Sequence, residues 1–88
     1  MDIKNERHYD AEDNGINLEE REILKRYCER HGEEINTFII WKYDVEAITV
    51  SDRKLTARRT WTGTRKGAYF YINEEVNGKE KRIPKANW

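Results

Sequence analysis

The side chains in this chain best suited to chemistry are the arginines and tyrosines of its second half. Arg58, Arg59, Tyr69, Tyr71 and Arg82, with Lys54, Arg65 and Lys66 in the adjoining loops, combine two abilities. Their cationic heads neutralise phosphate or carboxylate, and tyrosine rings offer platforms on which a base can stack. From Arg53 to Ile72 there are six basic residues and no acid. A block of that kind can meet a nucleic-acid backbone, an acidic protein surface, or the chain's own acidic N-terminal third. Thr, Tyr and Arg are also ordinary occupants of a water-facing sheet, so the pattern alone does not demand a ligand.

Other groupings carry less. Cys28 and His31 stand three apart on one stretch, half of a zinc site, with His8 and Asp10 as conceivable partners. A closed site prefers four Cys or His ligands and the chain owns three such residues, so a packed thiol and a helix-terminal histidine explain the pair better. Asp10 to Gly15 imitates the first half of a calcium loop, but position 12 is Arg21 where a bidentate acid is needed. Cys28 lies on an apolar stripe, away from the electropositive setting that activates a thiolate. Gly63-Thr64-Arg65-Lys66-Gly67 joins two strands and opens no helix, so it is not a phosphate cradle. No catalytic set, metal, cofactor or small-molecule substrate is expected, and a domain this small rarely encloses a substrate pocket.

Local signals place these residues on elements. Asn17 before Leu18-Glu19-Glu20 resembles a capping box, and Ile23, Leu24, Tyr27 and Cys28 fall on one stripe, which predicts a helix from Leu18 to His31 ended by Gly32. At Ile35 the hydrophobic period changes to two. Strands are expected at Ile35 to Tyr43, Glu46 to Val50, Lys54 to Thr62, Ala68 to Val76 and Lys79 to Ile83. Asn77-Gly78 is a type I′ hairpin signal that sets Val76 against Lys79, Glu74 against Lys81 and Ile72 against Ile83. Pro84 stops the last strand, which suits a sheet edge. The two-residue period then assigns Ala68, Phe70, Ile72, Val76, Ile83, Leu55, Ala57, Trp61, Ile48 and Val50 to the core under the helix. Arg58, Thr60, Tyr69, Tyr71, Asn73 and Arg82 fall on the opposite face.

Composition bounds the rest. The chain has 88 residues, 39% of them charged, with 17 bases and 17 acids, and ten aromatics remain for a core. One domain over residues 16–88 is expected, preceded by a mobile acidic tail over residues 1–15. The neutral total conceals an asymmetry: residues 1–35 hold 11 acids against 6 bases, and residues 36–88 hold 6 against 11. The longest apolar run, Phe38 to Trp41, is far below the roughly 20 residues of a membrane span, and one cysteine makes no internal disulfide, so a cytoplasmic protein without membrane contact is expected. The reading is an α+β fold, with one N-terminal amphipathic helix on a four- to five-stranded antiparallel meander. Its expected work is non-enzymatic binding of nucleic acid through the basic and aromatic sheet face. The alternative is a protein-binding inhibitor or adaptor that blocks a larger nucleic-acid-handling complex.

Overall fold

The computed structural model describes residues 5–8, 18–41, 44–61 and 68–88, with backbone alone for Asn5, His8, Thr60, Trp61, Ala68 and Tyr69. In chain order the elements are β1 (Asn5–His8), α1 (Leu18–Arg30), β2 (Ile35–Ile40), β3 (Asp44–Thr49), β4 (Lys54–Trp61), β5 (Ala68–Val76) and β6 (Lys79–Ile83), followed by one 3₁₀ turn at Lys85–Asn87. The six strands form one sheet in sequence order. From β2 to β6 every pairing is antiparallel, as a meander of short connections requires.

The strand count exceeds the expected four or five because Asn5–His8, assigned from sequence to a mobile tail, pairs in parallel with β2. A parallel pair needs a crossover, and α1 supplies it. Four polar residues with no apolar alternation give no period-two signal, so β1 is held by its backbone ladder and by the Glu6–Arg21 pair at 2.6 Å. The rest of the proposed tail, the Asn17 cap and the calcium-like loop lie outside the described residues.

The helix ends as its glycine dictates. Gly32 adopts φ +67, and the Glu33 amide donates to the Cys28 carbonyl at 2.8 Å, closing a Schellman cap. Asn77 and Gly78, at φ 53 and 77, make the type I′ turn, and all three expected β5–β6 pairs are present.

Leu24, Tyr27 and Cys28 of α1 are buried against Ile35, Phe38, Ile40, Val45, Ala47, Leu55, Ala57 and Ile72. Three assignments to this core need correcting. Ile48 faces away from the helix and Val50 is 58% exposed, while Val45 and Ala47 point inward. Apolar residues occupy both faces of β3, so period alone cannot choose between them. Register decides, setting Val45 against Ala57 and Ala47 against Leu55. Val76 shares the face of Ile72 but is 41% exposed, because α1 packs over β3 and β4 and leaves the hairpin tip uncovered. Phe70, Ile23 and Ile83 are only partly buried, and the Trp61 side chain lies outside the described residues. Among the described residues no helix is long and apolar enough to cross a membrane.

Candidate binding face of the sheet

With α1 on one side, no described element covers the sheet's other side, the open face. Antiparallel register aligns its residues in rows: Asp44, Arg58 and Tyr71; then Ile39, Glu46, Thr56, Asn73 and Arg82; then Thr37, Ile48, Lys54, Glu75 and Glu80. Of the expected binding residues, Arg58, Tyr71, Arg82 and Lys54 are therefore brought together. Tyr69 stands opposite Thr60 on β5, with its side chain outside the described residues, as are Arg65 and Lys66.

Arg59 is placed elsewhere. It is adjacent to Arg58, so the strand period turns it to the helix side, where its Nη2 donates to Glu20 Oε1 at 3.1 Å and its guanidinium lies 5.2 Å from the Phe70 ring centre. Glu20 is 1% exposed, so this pair is internal to the fold.

On the open face each cation can be followed to its neighbours. Arg58 donates from Nε to Asp44 Oδ2 at 3.2 Å and from Nη1 reaches Glu80 Oε1 at 3.0 Å. Burial opposes its charge, but the bond to Asp44 and the attraction of Asp44 and Glu80 outweigh that and raise its pKa. Lys54 pairs with Glu75 at 3.4 Å. Arg82 stacks at 4.0 Å over the Tyr71 ring and, among the described residues, has no carboxylate partner. Glu46 is partly buried between these rows, and desolvation, offset in part by Lys54, raises its pKa.

The charge count of this face follows. Arg7, Lys54, Arg58 and Arg82 stand against Asp44, Glu46, Glu75 and Glu80 among the described side chains. Sequence reading missed the acids because it followed the basic block along one strand. The signal that could have found them is the alternation of Asp44 and Glu46 with Val45 and Ala47, which puts both carboxylates on the open face. Trp41, 42% exposed beside Asp44, was missed for the same reason.

The other groupings resolve locally. Cys28 is fully buried, and desolvation pushes its thiol up to about 11, opposite to what a nucleophile needs. His31 stacks on Tyr27 at 4.2 Å and donates from Nε2 to the Asn87 carbonyl at 2.6 Å, pinning the C-terminal turn. Among the described residues no cluster of three or more His, Cys, Asp or Glu side chains could hold a metal ion. Comparison with protein-family models, curated proteins and solved structures yields no match.

Proposed function

We propose that this chain is a small, non-enzymatic binding protein whose open sheet face docks on a protein partner, as an inhibitor or adaptor of a larger assembly does. The observation that carries the reading is Arg58 held between Asp44 and Glu80. A polyanion is attracted by an uninterrupted field of one sign, and here each strong cation of β4 already has carboxylates beside it. A protein surface of mixed charge is matched instead by both signs in fixed places, with Tyr71, Trp41 and Arg82 as the kinds of residue that dominate binding energy.

One observation favours nucleic acid as a second reading. The Arg82 guanidinium over Tyr71 leaves its edge N–H groups available for a phosphate or a base edge. Capture from a native-host lysate separates the two, using the wild type, Tyr71→Ala/Arg82→Ala, and a variant changed only on the exposed face of α1. The account expects a protein retained after nuclease treatment, lost at least about tenfold on the sheet variant and kept by the helix variant. Nuclease-sensitive capture would transfer the assignment to nucleic acid. Equal capture by the sheet variant would remove the open face from both readings.

A further inference from the structure

The outward stripe of α1 is complementary to itself. Positions 19, 22, 23, 26 and 30 repeat at helical spacing and share one side. Along that stripe the charges are segregated, with Glu19 and Glu22 in the first half and Arg26 and Arg30 in the second. All four are exposed, and Arg26 and Arg30 have no carboxylate partner among the described residues; Glu22 has Lys25 at 3.6 Å. Two hollows follow the same path. One of about 310 Å³ is lined by Leu18, Glu19, Glu22, Ile23 and Arg26, and one of about 330 Å³ continues past Ile23 and Arg26 to Tyr27 and Trp88. At the first end Leu18 projects with 58% of its surface exposed. At the second end Ile23, Tyr27 and Trp88 form an apolar hollow, with Lys85 against the Trp88 ring.

We propose that the occupant of this stripe is a second copy of the chain, its α1 antiparallel to the first across a two-fold axis near Ile23. A two-fold interface brings the same patch from both subunits together, so each feature must find its complement on the patch itself. Antiparallel placement sets Glu19 and Glu22 of one copy opposite Arg26 and Arg30 of the other, and does so twice. It also brings Ile23 of each copy, which lines both hollows, to the middle of the contact. A parallel arrangement would align acid with acid and base with base. Glu29 is the one acid at the basic end, where Arg26, Arg30 and Lys85 outnumber it. A patch one helix long belongs to the small class of interfaces, so the dimer dissociates in the micromolar range and weakens with salt. The sheet face lies on the opposite side and remains open in both copies.

The test is sedimentation equilibrium of the full chain across the micromolar range, with helix content followed by circular dichroism. The wild type is expected to pass from one to two chain masses as concentration rises. Leu18→Glu raises the dissociation constant about tenfold or more. Glu19→Arg/Glu22→Arg and Arg26→Glu/Arg30→Glu are each monomeric, since each makes the stripe mainly one sign. Mixed in equal amounts they form a two-chain species, because one stripe is then mainly positive and the other mainly negative. A wild type that stays monomeric throughout overturns the proposal. So does a mixture of charge-reversed chains that stays monomeric, or a Glu19→Arg/Glu22→Arg chain that associates as the wild type does.

Discussion

Arg53 places one guanidinium against three side chains from separate segments: Glu74 at 2.8 and 2.9 Å, the Tyr27 hydroxyl at 2.8 Å and Glu33 at 3.3 Å. Replacing it with Met removes these bonds and leaves two carboxylates beside one another, a loss of about 2 to 3 kcal/mol measurable by urea unfolding. Arg58→Ala, on the half-exposed open face, costs about 0.5 to 1 kcal/mol in the same assay. The hydrogen bond from Arg53 holds Glu74 below the usual carboxylate value, and the Ser51 hydroxyl, then Arg53, does so for Glu33. Folded-state values below the unfolded value near 4.5 mean that the unfolded chain binds more protons in that range. Their stabilisation is complete above pH 4.5 and disappears as pH falls through the folded values. A Glu33→Gln/Glu74→Gln chain should therefore show a flatter stability profile between neutral and acid pH, read by thermal melts. Glu46 has the opposite sign: its raised pKa makes ionisation a cost at neutral pH, so Glu46→Gln should raise the melting temperature at pH 7 and lose that advantage in acid.

At the scale of elements, the core is organised by Phe38, which is fully buried, and Phe38→Ala should cost about 3 to 5 kcal/mol in chemical denaturation. Phe70→Ala should cost less, because Phe70 is only partly covered and lies beneath the Arg59 guanidinium. Most of these elements were legible beforehand. The helix end at Gly32, β5, β6 and their register were readable because glycine and Asn-Gly impose backbone conformations that few other residues tolerate. β1 was not, since a strand without alternation is specified by its neighbour β2 instead of by its own residues. The face of β3 was misread because Val45 and Ala47 compete with Ile48 and Val50, and only pairing with Leu55 and Ala57 breaks the tie. For the candidate site, alternation correctly grouped Arg58, Tyr71 and Arg82 on one face. Their carboxylate neighbours depend on which strands adjoin, which no local pattern reveals.

Over the whole molecule, the acidic first part and the basic second part meet inside the fold. Glu20 takes Arg59 and Glu33 takes Arg53, while Asp44, Glu75 and Glu80 take the cations of β4 on the open side. The four described cations of the basic block that suggested a nucleic-acid track, Arg53, Lys54, Arg58 and Arg59, are thus satisfied by the chain itself, and on the open face only Arg7 and Arg82 lack a carboxylate partner among the described residues. This self-neutralisation is the central claim. Its most direct test is binding of the wild-type chain to a short single-stranded oligonucleotide over a range of salt. Arg7 and Arg82, the described open-face cations without a carboxylate partner, are expected to carry about −1 to −2 of the slope of log K against log salt, read as the difference between the wild type and Arg7→Ala/Arg82→Ala. If Lys54→Ala/Arg58→Ala lowers the slope by as much, those paired cations face phosphate and the claim is contradicted.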